Sequence, residues 1–242
     1  MDVSKIRAWP SLALSRSTQL ELLDLGQGEG QDVAANLAEM QRINDWLGGT
    51  RALTRHLYPR LQQHQGRARL LDLGTGGAGL PLHILTWAEQ RGLPLEFVAV
   101  DWSARNLHAA DQALKNCQAI TRLQADALAL PLPPGNVDYV ISSLFLHHLN
   151  PDEVVQLLQQ AYRLARRAVI MSDLVRGRLP YFAFRLIQPL FARNYLTRHD
   201  GALSVRRAYT PAELLALADR TGLPATRVYS HFPWRMTLVI EK

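Results

Sequence analysis

The sequence predicts a doubly wound α/β fold built on one mostly parallel sheet. Between residues 68 and 173, five short apolar runs alternate with segments long enough for helices. This alternation is typical of a parallel sheet that is covered by helices on both faces. A length of 242 residues with 48% apolar side chains is sufficient for one domain with a buried core.

The predicted elements follow one another in a regular order. Residues 18–60 are predicted to be helical, because apolar residues recur every three or four positions from Val33 to Leu47. Thr210, Pro211 and Glu213 have the pattern of a capping box that begins a late helix, and two strands around Pro233 close the chain. The five predicted strands are residues 68–73, 95–101, 119–124, 137–142 and 167–173, and the helices between them are residues 80–90, 103–116 and 151–165.

Residues 176–209 interrupt this order with an aromatic, arginine-rich segment that lacks strand alternation. We interpret the segment as a helical lid, since an insertion after the fifth strand lies above the carboxyl edge of the sheet. The chain is therefore predicted to be a single domain. Its parts are an N-terminal helical segment (1–66), a cofactor-binding core (67–176), a lid insertion (177–209) and a C-terminal helix with a strand pair (210–242).

The charge of the chain is concentrated in one place. The segment from Arg176 to Arg207 holds seven arginines and one acid, so it accounts for the whole net charge of +6. Such a segment suits either a nucleic-acid surface or a site for one anionic or polar-headed substrate. The lone Cys117 excludes a disulfide framework and a cysteine-based metal site. We expect a cytoplasmic protein without a signal peptide, a transmembrane segment or a metal.

The loop after the first strand, LLDLGTGGAGL, carries the first sign of chemistry. Gly74, Gly76 and Gly79 satisfy the G-x-G-x-x-G pattern, and Asp101 follows Gly79 by 22 residues at the end of the next strand. This pattern alone also suits a nicotinamide dinucleotide fold. An aspartate in this position can accept hydrogen bonds from both hydroxyls of a ribose.

Three further features favour S-adenosylmethionine (SAM) over a dinucleotide. Asp72, two residues before the first glycine, would repel a pyrophosphate but tolerates the sulfonium and amine of SAM. Asp126 ends the third strand, where it can accept a hydrogen bond from an adenine amino group. The fourth strand ends in polar residues from Ser142 onward, at the edge where ligands bind in open α/β sheets.

In this order, the segments LLDLGTGGAG, FVAVDWS, QADALALPLP, VDYVISSLFLHHL and RAVIMSDL resemble the class I SAM-dependent methyltransferases. The resemblance covers residues 68–173 and is greatest to the small-molecule branch that includes the ubiquinone and menaquinone biosynthesis methyltransferases. The family pattern D-x-G-x-G-x-G matches Asp72, Gly74 and Gly76, but its last glycine falls on Ala78. The resemblance implies a seven-stranded sheet of order 3-2-1-4-5-7-6 with an antiparallel seventh strand.

The resemblance also implies a set of cofactor contacts. The loop Asp72–Gly76, including Thr75, would contact the methionine moiety, and Asp101 would bind the ribose. Asp126 and the amide of Ala127 would contact the adenine, with Trp102 packed against it. We include Ser142, from the carboxyl edge of the fourth strand, in the same site. The structural alternatives are that Asp72 caps the loop amides, that Asp101 is a helix N-cap in competition with Ser103, and that Trp102 is a core residue.

Two further groups are candidates for the reaction itself. His147 and His148 follow the fourth strand, and a histidine there suits a general base that takes a proton from a phenol, enol or acidic carbon. The alternative is a structural histidine that faces the next helix. In the lid, aromatic and basic side chains could hold the acceptor, or they could be packed and solvated residues of a helical pair. The predicted acceptor-binding residues are Phe182, Tyr195, Arg198, His199 and Arg206.

These observations predict a SAM-dependent methyltransferase that acts on an oxygen or carbon of a small hydrophobic aromatic, quinol or polyketide-like acceptor. Three alternatives stay open at this point: an NAD(P)-dependent oxidoreductase, an RNA methyltransferase and a non-catalytic SAM-binding protein. Against RNA as the acceptor, the fourth strand runs into Ser142, Ser143, Leu144 and Phe145 instead of the Asn/Asp-Pro-Pro-aromatic signature of many nucleic-acid amino-methyltransferases. We therefore expect a small-molecule partner and no nucleic acid.

Overall fold

The protein is built on one seven-stranded sheet with the strand order β3-β2-β1-β4-β5-β7-β6. The computed structural model describes residues 14–115 and 117–242. All strands run parallel except β7, which is antiparallel to both of its neighbours. The strands are β1 (Ala68–Leu73), β2 (Leu95–Asp101), β3 (Ile120–Gln124), β4 (Val137–Ser143), β5 (Ala165–Leu174), β6 (Thr226–His231) and β7 (Arg235–Glu241). The predicted strand order and the antiparallel seventh strand are confirmed.

Helices cover both faces of the sheet because neighbouring strand residues point to opposite sides. Leu70 of β1 belongs to a core with Leu57 and Ile84, whereas the adjacent Leu71 belongs to a second core with Leu157. The helices are α1 (Gly30–Trp46), α2 (Gly49–Gln62), α3 (Gly79–Glu89), α4 (Ala104–Ala109), α5 (Asp111–Leu114), α6 (Pro151–Leu164), α7 (Arg178–Phe191), α8 (Tyr195–Arg207) and α9 (Pro211–Asp219). A single 3₁₀ turn, Leu146–His148, follows β4.

Two helix predictions are corrected by the structure. The first helix begins at Gly30 instead of residue 18, since Gly26 and Gly28 adopt left-handed backbone conformations that turn the chain. The helix predicted over residues 103–116 divides into α4 and α5, with an i→i−3 hydrogen bond from the Ala110 amide at the break. The predicted capping box of α9 is present, and Thr210 and Glu213 exchange the two expected hydrogen bonds.

The segment after β5 forms two helices of different character. α8 is largely buried and contacts α1, whereas α7 packs on α8 and leaves one face to solvent. In the part of the chain that the structure describes, no helix is long and apolar enough to cross a membrane. α8 contacts both α1 and the turn after β4, so this helix pair lies beside the N-terminal helices at the carboxyl edge of the sheet.

Candidate active site

A cavity of about 810 Å³ opens at the carboxyl ends of β1, β2 and β4. One side of it is formed by the loops after the strands, the other by the N-terminal segment. The loop side includes Asp72, Gly74, Thr75, Gly76, Asp101, Trp102, Asp126, Ala127, Phe145, His147 and His148. The lining residues of the N-terminal segment, here called the N-terminal wall, include Leu20, Leu23, Asp24, Leu37, Met40, Gln41 and Asn44. The strand edge and the N-terminal helices thus enclose one shared space.

At Gly74, the glycine loop lies too close to a neighbouring aromatic ring to accommodate a larger residue. Gly74 has a φ of +70°, and a Cβ atom there would lie 2.6 Å from the ring of Phe145. Ala78, on which the last glycine of the family pattern falls, also adopts a left-handed conformation with a φ of 57°. An alanine in this conformation costs about 1–2 kcal/mol relative to ordinary backbone. The position therefore keeps the backbone geometry of a glycine although its side chain is a methyl group.

Asp72 is a buried carboxyl group at the tip of β1, with 2% of its surface exposed. Burial, helped by the negative charge of Asp101, raises the pKa of Asp72 to about 7. A neighbouring cation would stabilise the Asp72 carboxyl in its charged form, which burial alone disfavours. The tip of β1 is accordingly suited to a positively charged ligand and unsuited to a pyrophosphate.

Asp101 ties the glycine loop to the start of α4. Its Oδ2 accepts a hydrogen bond from the Gly76 amide at 2.9 Å, and its Oδ1 accepts from the Ser103 amide at 2.9 Å and from Asn106 Nδ2 at 3.2 Å. The helix N-cap is Ser103, whose hydroxyl accepts from the Asn106 amide. A carboxylate offers about four lone pairs, so Asp101 retains capacity for a ligand hydroxyl while it holds the loop.

The remaining predicted cofactor residues differ in where they lie. Trp102 is 74% exposed at the cavity mouth, so it is not a core residue. Asp126 is exposed and accepts from the Leu128 amide at 2.8 Å, and Ala127 is buried beside it at the cavity. The prediction that Ser142 lines the cofactor site is corrected by the structure. It is buried, and its hydroxyl donates to the Leu73 carbonyl at 2.8 Å, so the next residue, Ser143, lines the cavity instead.

His147 forms a buried pair with Asp173 at the end of β5. The two side chains are 2.8 Å apart between Nδ1 and Oδ1, and the His147 amide donates to Oδ2 at 3.0 Å. Burial raises the pKa of Asp173, but the charge and hydrogen bonds of His147 outweigh it and hold the pKa below its ordinary value. Because the carboxylate accepts from Nδ1–H, the neutral imidazole has its lone pair on Nε2. His147 is thus held with its basic nitrogen away from Asp173.

His148 lies between two carboxylates of the N-terminal segment. Its Nδ1 is 3.0 Å from Asp24 Oδ1, and its Nε2 is 4.0 Å from Glu21 Oε2. Burial lowers the pKa of His148, but the charge of Glu21 and the hydrogen bond and charge of Asp24 raise it to about 9. His148 is therefore protonated at neutral pH, so it cannot take a proton from the molecule that receives the methyl group.

Two arginines fix the 3₁₀ turn that carries both histidines. Arg16 donates to the carbonyls of His147 and Leu149, and Arg207 donates to the carbonyls of His147 and His148. Arg207 also binds Asp24 at 2.6 Å. The turn begins after Leu144, which has a φ of 57°, an uncommon conformation for a leucine and one that clusters at functional sites. The N-terminal segment and α8 thus hold the histidines in place together.

Glu21 completes this cluster from the N-terminal side. Its Oε1 lies 3.7 Å from His147 Nε2 and accepts from the Ser204 hydroxyl at 2.8 Å. One ligand atom each from Glu21, His147 and His148 lie within 4.8 Å of one another, a spacing that could hold a cation. The Arg207 guanidinium, 3.8 Å from Glu21, and protonated His148 already supply positive charge there. The charge of Glu21 is therefore balanced by the protein itself.

The five residues predicted from the lid to bind the acceptor do not line the cavity. Phe182 and Tyr195 are exposed, and Arg198 uses its Nε to bind the Ala192 carbonyl. His199 binds the carboxylate of Asp200, and Arg206 lies apart from the cavity lining. The physical reason is that α8 packs against α1 and that Phe182 lies on the exposed side of α7, so only Asp200 and Arg207 of residues 177–209 line the cavity.

Several residues of the site were not predicted from the sequence. Asp173 stands at the carboxyl end of β5, and the strand-end rule that identified Asp101 applies to it equally. Glu21 and Asp24 carried no such signal, because they reach the cavity from a segment remote in sequence from the strands. Residues at strand ends can thus be recognised in the sequence, whereas the residues that close over them cannot.

Comparison with known proteins gives the same fold and a family match. Residues 71–171 match the family model described as "Methyltransferase domain". No curated protein matches the chain. A SAM-dependent methyltransferase from Aquifex aeolicus is similar in structure, with a TM-score of 0.59 and 14% identity over 89% of this chain and 99% of its own.

Two other solved structures extend this likeness. Human N-acetylserotonin methyltransferase in complex with SAM has a TM-score of 0.60 and 14% identity, over 91% of this chain and 61% of its own. A SAM-dependent methyltransferase from Methanosarcina mazei has a TM-score of 0.54 and 15% identity, over 76% of this chain and 97% of its own. At these identities the likeness establishes the fold, while the family match covers the strand-end loops that form the cavity.

Proposed function

We propose that the chain is a class I SAM-dependent methyltransferase that transfers the methyl group of SAM to an oxygen or carbon of a small, hydrophobic acceptor with an acidic proton. The observation that carries this proposal is the buried His147–Asp173 pair at the wall of the cavity. A histidine oriented in this way suits proton removal from a phenol, quinol or enol.

The cavity fits the cofactor at its loop side. Asp101 keeps acceptor capacity for ribose hydroxyls, and Gly74 turns the loop at the strand edge with a φ of +70°. Asp72 provides a carboxyl group that a cation would stabilise in its charged form, while Asp126 and the amide of Ala127 are available to an adenine. SAM, when bound, supplies a methyl group activated by its sulfonium. The residues of the chain then have to orient the acceptor, exclude water and remove a proton.

We assign the proton removal to His147 instead of His148. His147 has a basic Nε2 when neutral, because Asp173 accepts from Nδ1–H. His148 is protonated at neutral pH between Glu21 and Asp24. Proton transfer to His147 creates an imidazolium that Asp173 stabilises at Nδ1 and Glu21 stabilises at 3.7 Å from Nε2. The arrangement therefore lowers the cost of charging the base during the reaction.

The acceptor would occupy the space under the N-terminal wall. Leu20, Leu23 and Met40 give this region an apolar lining, and Phe145 faces it from the strand edge. Such a lining favours a hydrophobic ring or chain over a nucleic-acid backbone. The name of the human structural neighbour indicates a small aromatic acceptor for that protein, which is in keeping with the proposal. The acceptor wall would thus belong to residues 20–44, and the cofactor core to residues 67–176.

The RNA methyltransferase alternative depends on the arginines of residues 176–207. Arg176 and Arg207 are buried in hydrogen bonds within the protein, so they are not available to phosphates. The exposed ones lie on α7, on α8 and between them, away from the cavity lining. A mass-resolved search for methylated products from small acceptors and from RNA distinguishes the two functions directly.

Replacing Met40 by tryptophan should reduce acceptor binding selectively. The larger side chain fills part of the space under the N-terminal wall, so we expect the acceptor KM to rise about tenfold or more while the SAM Kd stays within about twofold. Steady-state kinetics and calorimetry measure the two constants. Ala35→Trp is the matched control, because Ala35 is exposed on the same helix. An equal loss of SAM and acceptor binding would contradict the assignment of this wall to the acceptor.

A further inference from the structure

The outer face of α7 is an apolar surface that the fold leaves in solvent. Leu179, Phe182, Leu186 and Leu190 follow one another at spacings of three and four residues, which places them on one side of the helix. Their exposed fractions are 63%, 62%, 81% and 74%. We call these four residues the α7 face. A row of large apolar side chains with this exposure marks an interaction site in a water-soluble fold.

Arginines border the α7 face. Arg178 and Arg185 lie on the same helix and Arg193 follows its end, and all three are exposed. Within the described residues, none of the three forms an ion pair with an acidic side chain, in contrast to Arg176 and Arg207. Their charge is therefore available to an anionic partner. Apolar residues on one face with arginines beside them are the pattern of a helix that lies in a membrane–water interface.

The inner side of α7 is firmly attached to the protein. The ring of Phe184 lies on Gly201 of α8, where an added Cβ atom would come within 2.8 Å of it. Gln188 donates from Nε2 to the carbonyl of Thr197 at 3.2 Å. The helix is thus already formed and oriented, so docking needs no ordering of the chain. Its length of about 21 Å suits contact with a surface along the whole helix.

We propose that the α7 face docks on the surface of a bilayer that contains anionic lipids. The four apolar side chains enter the interface, and Arg178, Arg185 and Arg193 contact the negative headgroups. Each arginine near such a surface strengthens binding by about fivefold. The attraction is screened by salt, since the contacts lie at an exposed surface. This docking is independent of the acceptor that the cavity takes, because the α7 face does not line the cavity.

Flotation of the full chain with lipid vesicles tests the proposal. We expect binding to vesicles of phosphatidylcholine mixed with phosphatidylglycerol, weaker binding at high salt, and little binding to phosphatidylcholine alone. The double variant Leu186→Gln with Leu190→Gln should lose at least about tenfold in partitioning. The double variant Arg185→Gln with Arg193→Gln should lose a similar factor on anionic vesicles only.

Matched controls distinguish binding through the α7 face from nonspecific binding to vesicles. Phe232→Gln changes an exposed apolar residue elsewhere, and Arg42→Gln with Arg55→Gln removes two exposed arginines elsewhere; both should bind vesicles as the native chain does. Methyl transfer to a water-soluble acceptor should be unaffected in the α7 variants, so failure of docking and failure of the proposed activity are distinguishable. Equal binding by the α7 variants and the native chain would overturn the proposal. So would light scattering that shows a dimer dissociated by the leucine variant, without vesicle binding.

Discussion

Replacing His147 by glutamine lowers kcat for methyl transfer by about 10²–10⁴ if proton removal limits turnover. The loss follows from the geometry, because Asp173 holds Nδ1 and leaves Nε2 as the basic nitrogen of a histidine that lines the cavity. Glutamine keeps a polar group of similar length but cannot accept the proton. Calorimetry should show a nearly unchanged SAM Kd, since His147 contributes to proton transfer and not to cofactor binding.

Comparison with an exposed histidine gives a second test of the same residue. His108→Gln is the matched control, since His108 is an exposed histidine on α4 and should leave kcat unchanged. A His147→Gln variant with native kcat would show that His147 is a structural residue.

Replacing Asp101 by alanine weakens SAM binding by about 1.5–3 kcal/mol, which is roughly 10- to 150-fold in Kd. The variant loses the charge-assisted hydrogen bonds to the ribose. It also leaves the amides of Gly76 and Ser103 without their partner, so the glycine loop itself loosens. Calorimetry with SAM and with S-adenosylhomocysteine measures the loss of affinity. Thermal unfolding shows how far the substitution also destabilises the fold.

Asp219→Ala is the matched control for this substitution, because Asp219 is an exposed carboxylate at the end of α9 and should change neither quantity. Unchanged SAM affinity in a folded Asp101→Ala protein would show that this carboxylate only ties the loop to α4.

The cavity should bind SAM at micromolar concentration and leave NADH unbound, since the carboxyl of Asp72 disfavours a pyrophosphate.

The core of the fold was predictable because its physical signals are local. Buried parallel strands are short apolar runs, and β1 and β2 have the predicted bounds in the structure. The capping box at Thr210 and Glu213 is likewise encoded within four residues. The start of α1 was predicted too early, because the glycines at 26 and 28 interrupt a helical pattern without altering its apolar spacing. Local turn chemistry prevailed over periodicity there.

The position of the carboxylates at the strand ends was predictable for a related reason. In a parallel sheet the carboxyl ends of strands meet at one edge, so Asp72 and Asp101 could be placed together before any coordinates. Ser142 was misplaced by one residue, since alternate residues of a strand face opposite sides and Ser143 is the one at the cavity. The strand-end residue Asp173 was accessible to the same rule.

The residues that close over the strand ends were not predictable from the sequence. The aromatic and basic composition of residues 176–209 indicated a lid, but the burial of α8 against α1 directs those side chains elsewhere. Glu21 and Asp24 reach the histidines through the fold alone, more than a hundred residues away in sequence. Long-range packing of this kind leaves no periodicity or spacing to detect.

The central claim, methyl transfer from SAM to a small acidic acceptor, is tested most directly by one measurement. The native chain is incubated with methyl-labelled SAM and either a panel of phenols, quinols and enolic compounds or total RNA, and the products are resolved by mass. We expect the labelled methyl on an oxygen or carbon of a hydrophobic small molecule, with the product strongly reduced in His147→Gln. Labelled RNA without any labelled small molecule, or a product level unaffected by His147→Gln, would contradict it.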